Sequence, residues 1–300
     1  MGKYYLCMEI GGTNLRYGIV TQDFQVLDFH KIASVGLSDA SDKGAYIEEL
    51  FSPLLRQYGK ERICCIALSL ASLMDKERSI CYNSPNIRGF DKLPLKQILE
   101  KRMGLPVYME RDVNTALLYE IRKNKLETSG IMIGVFIGTG LGNAMCIDGK
   151  IYKGSTGSSC ELGHIPVPGL EEMCGCGKKG CIELKACGKV LAKIAEDICH
   201  CPVEEVFLRH GEETAVKEVI KMCALAVAAE VTILDPSCVI LGGGVTEMPG
   251  FPLDYFTETV KENLRLPNPR EAFNLILASG APEAGIAGAA LNAAVLYRQP

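Results

Sequence analysis

The hydrophobic pattern of the chain alternates between short, almost wholly apolar runs and longer amphipathic stretches. Runs such as Tyr4–Ile10 predict strands that are buried on both faces. Stretches with apolar positions three or four residues apart predict helices with one buried face. The predicted strands are Tyr4–Ile10, Leu15–Thr21, Ile63–Leu70, Val107–Met109, Ile131–Ile137, Gly142–Ile147 and Cys238–Leu241, and the predicted helices are Tyr46–Tyr58, Leu93–Arg102, Val113–Asn124, Lys189–Asp197, Glu213–Ile233 and Gly285–Tyr297. This alternation of strands and helices predicts an α/β fold.

A pattern of strand, glycine turn and strand occurs twice along the chain. Tyr4–Ile10 leads through Gly11-Gly12-Thr13 into a second strand, and Ile131–Ile137 leads through Gly138-Thr139-Gly140 into another. Such an internal repeat predicts two lobes of related design. We place the lobes at residues 1–120 and 121–284, and we expect a cleft between them with one glycine turn on each wall.

Three glycine turns are candidate phosphate sites. The third, Gly242-Gly243-Gly244, follows the apolar run Cys238–Leu241. Glycine allows a positive φ, and successive backbone N–H groups in such a turn can surround an anion. The first two turns join strand to strand, whereas a Rossmann turn or a P-loop leads into a helix. A single turn of this kind is equally well explained as ordinary turn chemistry, but three of them favour phosphate binding.

The segment Glu110-Arg111-Asp112-Val113-Asn114 lies between a predicted short strand and a predicted helix. A carboxylate at such a junction is commonly a helix N-cap. In a cleft beside phosphate turns the same Asp112 is a candidate general base, because phosphoryl transfer needs a group that orients and deprotonates the accepting hydroxyl. The sequence leaves both interpretations of Asp112 open.

A cluster of potential metal ligands lies in the second half of the chain. His164, Cys174, Cys176 and Cys181 supply one imidazole and three thiolates, which complete a tetrahedral zinc shell. With four protein ligands the zinc would be structural. It would explain how residues 154–188, which are glycine-rich and have no expected core, hold a shape. The alternative is a flexible loop with free thiols.

Two carboxylates flank the predicted zinc ligands. Glu161 lies three residues before His164, and Glu183 lies two residues after Cys181. A metal would bring these carboxylates near each other, and paired carboxylates suit the neighbouring hydroxyls of a sugar because they accept hydrogen bonds. The alternative is that either residue is an ordinary exposed glutamate.

Composition narrows the possible functions. The chain has 300 residues and a formal net charge of −4 without a basic block, which argues against nucleic acid as a partner. No apolar run reaches the ~18 residues of a membrane span, and the first apolar run is too short for a signal peptide, so we expect no membrane partner. Fourteen cysteines without an export signal fit a reducing cytoplasm, where we expect the protein to be located.

Taken together and in this order, these motifs resemble the ROK family of repressors, open reading frames and sugar kinases. The resemblance covers nearly the whole chain and is carried by Glu9–Arg16, Arg111-Asp112, Gly138–Gly140, Glu161–His164, Cys174–Glu183 and Asp235–Gly244. It implies a two-lobed, actin-like ATPase fold with ribonuclease H-like lobes, in which the final helix at residues 285–300 packs back on the first lobe. It also implies an ATP-dependent hexose kinase with Mg²⁺ and a structural Zn²⁺, and a homodimer is usual for such kinases.

The resemblance further implies roles for individual residues. Asp112 would be the base toward the 6-hydroxyl of the sugar. Contacts with the sugar would come from Asn86, Arg111, Asp112, Glu161, His164 and Glu183. ATP would be bound by Glu9, Gly11, Gly12, Thr13 and Asn14 of the first hairpin, by Gly138, Thr139, Gly140, Leu141 and Gly142 of the second, and near the adenosine by Gly242, Gly243 and Gly244.

Two departures from the family pattern change the expected site. The family usually has Asp where this chain has Glu9, and the extra methylene moves a carboxylate that helps to place Mg²⁺. Its glucose kinases usually have Asn, which contacts the 3- and 4-hydroxyls of the sugar, where this chain has Arg111. Arg111, with Ser84-Pro85-Asn86 upstream, resembles the D-allose kinase branch. Allose is the C3 epimer of glucose. A long planar cation in place of a short amide changes which of the two epimers can form hydrogen bonds with the site. We therefore expect D-allose as the substrate.

Other interpretations remain open at this point. One is a kinase of the same family that acts on glucose, fructose or N-acetylmannosamine. Another is a sugar-sensing protein of the family without catalytic activity. A repressor would need a DNA-binding module of roughly 70 residues, usually ahead of the first hairpin. Because the first predicted strand begins at Tyr4, we expect no such module.

Overall fold

Two five-stranded mixed sheets organise the chain, one in each of two compact units. The computed structural model describes residues 3–84 and 87–297. The first unit comprises Met1–Leu126, Lys153–Ser159 and Ala281–Pro300, and the second comprises Glu127–Tyr152 and Cys160–Gly280. The first unit thus includes the C-terminal helix, and it also includes Lys153–Ser159, which the sequence pattern assigns to the second lobe.

The first unit contains seven strands and five α-helices among its described residues. The strands are β1 (Tyr4–Ile10), β2 (Asn14–Thr21), β3 (Val26–Ala33), β4 (Ile63–Leu70), β5 (Leu73–Met74), β6 (Cys81–Asn83) and β7 (Val107–Arg111). The helices are α1 (Val35–Asp39), α2 (Lys43–Tyr58), α3 (Leu95–Met103), α4 (Asp112–Lys123) and, at the end of the chain, α9 (Ala284–Tyr297).

The first sheet has the strand order β3-β2-β1-β4-β7. Strands β1 and β2 form an antiparallel hairpin, whereas β1, β4 and β7 run parallel, with Ile10 paired to Leu70 and Leu70 to Arg111. Since parallel strands end at the same edge of a sheet, the turn after β1 and the start of α4 lie at one edge.

Both faces of the first sheet are covered by helices. Every residue of β4 is buried, as expected for a parallel strand between two layers. Phe51 of α2 and Leu99 of α3 belong to the core on one face, and Ile286 of α9 belongs to the core on the other. Small residues let α9 approach closely, because a Cβ on Gly288 would collide with the Thr115 carbonyl oxygen of α4.

The second unit repeats the arrangement of a hairpin followed by parallel strands. Its strands are β8 (Ile131–Ile137), β9 (Leu141–Ile147), β10 (Lys150–Ile151), β11 (Cys238–Gly242) and β12 (Leu275–Leu277), and its helices are α5 (Gly188–Ile194), α6 (Val206–His210), α7 (Thr214–Leu234) and α8 (Leu253–Glu262). The strand order is β10-β9-β8-β11-β12, with β8 and β9 antiparallel and β8, β11 and β12 parallel. The long helix α7 packs Ile220 and Val227 into the core of this unit.

The predicted elements agree with the structure to within three residues at their ends. Strands β1, β4 and β8 agree to the residue. The helix predicted from Lys189 is α5, and it continues as a π-helical turn over Ala195–Cys199. The pattern misses β3 and α8, and it also misses the short elements β5, β6, β10, β12, α1 and α6.

The expectation that residues 154–188 lack a core is wrong for the later part of this segment. Leu162, Ile182 and Ala186 are buried and belong to the core of the second unit. Two short 3₁₀ turns, Leu162–His164 and Ile182–Leu184, carry the first two of these side chains. The anchoring residues are too far apart in sequence to produce a periodic signal. Within residues 3–84 and 87–297, every helix is too short or too polar to cross a lipid bilayer.

Candidate active site

The carboxyl edge of the first sheet brings together the predicted residues of the first unit. The turn Gly11-Gly12-Thr13 connects β1 to β2, and Asp112 follows β7, two strands away in the same sheet. Thr13 is exposed at the tip of the hairpin. The main-chain N–H of Gly11 donates to the Asn14 carbonyl oxygen at 3.1 Å, which closes the turn.

Asp112 is the first residue of α4 and is partly exposed. The N-cap position is occupied by Arg111, whose side chain makes no capping bond, so Asp112 is not the N-cap residue. Asp112 Oδ1 accepts a hydrogen bond from the Val113 N–H at 2.9 Å. A negative charge is favourable at the N-terminus of a helix, and a carboxylate is the form in which Asp112 could accept a proton.

Glu110, two residues before Asp112, lies in a buried cluster of charges. Its side chain is 0% exposed, and its Oε1 accepts hydrogen bonds from Arg78 Nε at 2.8 Å and from the Arg111 N–H at 3.0 Å. Lys153 Nζ lies 3.1 Å from Oε2. Burial alone would raise the pKa of Glu110, but the two cations and the hydrogen bonds outweigh it and hold the pKa below its ordinary value. A charged carboxylate therefore fixes the backbone just before Asp112.

The segment Lys153–Ser159 is anchored to the first unit by the same cluster. Arg78 donates from Nη1 to the Gly157 carbonyl oxygen at 2.9 Å, and Arg111 donates from Nη1 to the Ser159 carbonyl oxygen at 2.7 Å. Arg111 is 9% exposed. The guanidinium of Arg111, which we expect to contact the sugar, thus also holds this segment.

Glu9, where the family usually has Asp, is tied to the hairpin. Its Oε1 accepts a hydrogen bond from Arg16 at 3.0 Å. Burial raises the pKa of Glu9 and the charge of Asp112 adds to this, while Arg16 opposes it. The longer side chain reaches the start of α9, where a Cβ on Gly285 would lie 2.5 Å from Glu9 Cδ. Glycine at position 285 therefore accommodates the extra methylene of Glu9.

A cavity of about 700 Å³ opens beside the first turn. Gly12, Thr13, Ser34, Ser84 and Asp91 are among its lining residues. Ser34 Oγ donates to the Gly12 carbonyl oxygen at 2.6 Å, so this wall is firmly attached to the turn. The predicted sugar contact Asn86 and its neighbour Pro85 lie outside the described residues.

The second turn, Gly138-Thr139-Gly140, connects β8 to β9 and exposes Thr139 at its tip. It rests on the start of α5, where the Gly188 N–H donates to the Gly138 carbonyl oxygen at 2.8 Å. Glu183 supports the other side. Its Oε2 accepts a hydrogen bond from the Leu141 N–H at 3.0 Å and lies where a Cβ on Gly140 would stand.

The third turn follows β11 at the same edge of the second sheet. Gly243 has a φ of 98°, and a Cβ there would lie 2.5 Å from the Ile137 carbonyl oxygen. The Val245 N–H donates to that oxygen at 3.0 Å. A positive φ is therefore found at this turn, whereas Gly11, Gly138 and Gly140 of the first two turns lack it. At Gly140 a Cβ would instead displace the Glu183 carboxylate. Phosphate binding at the three turns stays a prediction.

The four predicted metal ligands come together in the second unit. One ligand atom from each of His164, Cys174, Cys176 and Cys181 lies within 4.8 Å of the others. His164 Nδ1 is 3.7 Å from Cys174 Sγ, and Cys176 Sγ is 3.5 Å from Cys181 Sγ. Ligands at tetrahedral zinc, with bonds of about 2.3 Å for sulfur and 2.0 Å for nitrogen, are separated by roughly 3.5–3.8 Å. The donor set therefore fits zinc, and these two distances match a tetrahedral shell.

The two ring nitrogens of His164 have different neighbours. Nδ1 faces the thiol cluster, whereas Nε2 lies 3.7 Å from Glu161 Oε2. The side chains of His164 and Glu161 are 28% and 34% exposed, so both remain accessible. One histidine can thus bind a metal through one nitrogen and a ligand through the other.

Sequence reasoning gave no role to three buried residues near these groups. Glu110 fixes the backbone before Asp112, while Asn143 and Glu230 lie beneath the 3₁₀ turn that carries His164. Asn143 interrupts an apolar strand and Glu230 interrupts an apolar helix. A polar residue in the middle of an apolar run is the signal that could have identified the last two.

Comparison with known proteins defines the class of protein. A family model described as "ROK family" matches residues 5–295. A glucokinase of Streptomyces coelicolor is 28% identical over 307 residues, which cover 94% of this chain and 95% of the relative. An N-acetylmannosamine kinase of Salmonella arizonae is 26% identical over 252 residues, which cover 82% of this chain and 84% of the relative.

Solved structures agree with this result. The crystal structure of a ROK hexokinase from Thermus thermophilus has a TM-score of 0.82 and 27% identity, with 98% of each chain covered. A ROK family glucokinase from Streptomyces griseus, in complex with glucose and AMPPNP, has a TM-score of 0.81 and 26% identity, with 96% of this chain and 98% of that chain covered. The chain belongs to the ROK family, which confirms the family predicted from the motifs.

Proposed function

We propose that the protein is an ATP-dependent hexose kinase that phosphorylates the 6-hydroxyl of its sugar. The observation that carries this proposal is the position of Asp112, at the sheet edge that also holds the Gly11-Gly12-Thr13 turn. The named relatives support it, since they are a hexokinase, glucokinases and an N-acetylmannosamine kinase.

Asp112 is the proposed base, which orients the accepting hydroxyl and takes its proton. Phosphoryl transfer requires little covalent chemistry from the protein, so positioning and charge stabilisation account for most of the catalysis. The exposed turns bearing Thr13 and Thr139 are the proposed sites for the ATP phosphates, and Gly242–Gly244 is the proposed site for the adenosine. Mg²⁺ bound to ATP neutralises phosphate charge. We propose that Glu9 is the carboxylate that lies near this Mg²⁺ ion.

The sugar contacts that we propose in the second unit are Glu161, His164 and Glu183. Glu183 Oε2 is engaged by the Leu141 N–H, so we assign its Oε1 to a sugar hydroxyl. His164 would bind zinc through Nδ1 and the sugar through Nε2. A zinc ion held by His164 and the three cysteines supplies no catalytic group, because four protein ligands fill its coordination shell.

The proposed base is tested by Asp112→Asn. The amide keeps the shape of the side chain but cannot take a proton, so we expect the turnover number to fall by at least about 100-fold. The affinity for sugar should change by less than about threefold, because the amide still forms hydrogen bonds. Glu127→Gln, at an exposed carboxylate, is the control. Turnover that survives in Asp112→Asn would show that the assignment is wrong.

We propose D-allose as the sugar, because Arg111 stands directly before the base and is held in place by its bond to the Ser159 carbonyl oxygen. The test compares turnover with allose, glucose and N-acetylmannosamine. We expect the highest kcat/KM with allose. Arg111→Asn should shift the preference toward glucose, since a shorter amide cannot reproduce the planar cation. Equal or better turnover of glucose by the unmodified protein would refute allose specificity and favour a glucokinase.

A further inference from the structure

A buried polar pair lies inside the apolar core of the second unit. Asn143 is on β9 and is 1% exposed, and Glu230 is on α7 and is 8% exposed. Asn143 Nδ2 donates to Glu230 Oε1 at 2.6 Å. The pair therefore links the strand that begins directly after the second glycine turn to the long helix beneath it.

The other end of the Asn143 amide reaches the segment that carries Glu161 and His164. Asn143 Oδ1 accepts a hydrogen bond from the Leu162 N–H at 2.9 Å. This bond fixes the orientation of the amide, because a backbone N–H requires the oxygen and the carboxylate then receives the nitrogen. Asn143 thus bridges Glu230 and the 3₁₀ turn.

A carboxyl group at this depth is unfavourable for packing alone. Burial raises the pKa of Glu230 to about 7, although the hydrogen bond from Asn143 acts in the opposite direction. Glu230 Oε2 is buried and has no hydrogen-bond partner among the residues that the structure describes. A leucine would fill this space without the cost of removing a carboxyl group from water. The pair therefore calls for an explanation other than stability.

A second contact holds the same turn against β9. A Cβ on Gly163 would collide with the Leu141 carbonyl oxygen, so the two backbones are in direct contact there. Leu162 is attached through Asn143 and Gly163 through this close approach. Glu161 and His164 lie on either side of these two anchored residues.

We propose that Asn143 and Glu230 are positioning residues, which hold the Leu162 backbone and thereby set the positions of Glu161 and His164. The proposal rests on the proposed function, because it takes those two side chains as contacts of the sugar. Glu230 orients Asn143, and Asn143 orients the turn. Neither residue touches the substrate.

The kinetic test separates sugar from nucleotide. We expect Asn143→Ala to raise the KM for sugar about tenfold, in the range of a lost buried hydrogen bond, and to change the KM for ATP by less than about twofold. Glu230→Leu should behave similarly. Glu230→Gln, in contrast, should keep most of the sugar affinity of the unmodified protein, because the glutamine Oε1 still accepts a hydrogen bond from Asn143. Thr259→Val, which removes the side-chain hydrogen bond of another buried residue in this unit, is the matched control.

A measurement without substrate tests the tether itself. Amide hydrogen exchange at Leu162 should accelerate at least about tenfold in Asn143→Ala and remain unchanged in Thr259→Val. If Asn143→Ala does not fold, Glu230→Leu takes its place, since an apolar side chain suits the core. Unchanged exchange at Leu162, or an equal rise in KM for sugar and ATP, would overturn the proposal. If the unmodified protein phosphorylates no hexose, the proposed function fails, and the exchange result still decides whether the tether exists.

Discussion

The two hairpin turns hold equivalent positions in sheets of the same topology, yet different interactions keep them in place. Ser34 and the hairpin backbone hold the first turn, and the buried Glu110 cluster fixes the end of β7, two strands away in the same sheet. Glu183 supports the second turn from a segment that carries the predicted metal ligands. Topology thus places a glycine turn, while local chemistry fixes it.

Removal of the predicted zinc should affect the second turn and not the first, and it is the largest effect that we expect. In zinc-finger peptides, the binding of structural zinc contributes about 10 kcal/mol or more to the free energy of folding. Cys181→Ser should abolish stoichiometric zinc binding and increase hydrogen exchange at residues 138–145 and 161–188. Exchange in the first hairpin should stay unchanged.

Elemental analysis of the purified chain provides the direct measurement of zinc. Cys201→Ser serves as the control, since Cys201 is outside the ligand cluster. Equal exchange changes in both hairpins would show that the two turns do not depend on separate supports.

In the first unit, the strand end before Asp112 should depend on Glu110 and not on the metal. Glu110→Leu leaves Arg78, which is 4% exposed, buried without its counter-charge, and breaking such a pair costs about 3–5 kcal/mol. Chemical denaturation should show this loss while the zinc content is unchanged. Asp39→Ala, which removes an exposed pair with Arg88, should cost less than about 1 kcal/mol. Similar costs for the two variants would contradict the structural importance of the cluster.

The two buried carboxyls should give the units opposite responses to pH. The pKa of Glu110 is lowered in the fold, so its stabilisation is present above its ordinary pKa of 4.5 and is lost as pH falls through the folded value. The pKa of Glu230 is raised from 4.5 to about 7, so its cost grows as pH rises between these values. This shift corresponds to about 3 kcal/mol at most.

Hydrogen exchange at different pH values, corrected for intrinsic rates, measures this difference. Between pH 5 and pH 8 the second unit should lose protection and the first should not. Glu230→Gln should remove the loss, because an amide does not ionise. A loss of protection that persists in Glu230→Gln would assign the pH response to another group.

What the sequence could predict depends on whether the signal is local. Strand β4 was predictable to the residue because parallel strands are buried on both faces and read as an unbroken apolar run. Strand β3 was not, because it is partly exposed along its length and carries charged and polar residues. The cluster of His164 with Cys174, Cys176 and Cys181 was predictable from residue types and short spacing. Asn143 and Glu230 each stand out as a polar residue in an apolar run, but their pairing was not predictable, because 87 residues separate the partners and only the fold brings them together.

The smallest expected effect comes from alanine substitutions at two glycines of the second turn. A Cβ on Gly140 would displace Glu183 Oε2, whereas a Cβ on Gly138 would meet no atom within 4 Å. Glutamate can swing aside, so Gly140→Ala should cost the single hydrogen bond to the Leu141 N–H, about 1 kcal/mol. We expect a rise of roughly fivefold in the KM for ATP, and less than twofold for Gly138→Ala. Equal effects of the two substitutions would show that Glu183 does not support the turn, and the contrast between the two hairpins would then rest on the metal alone.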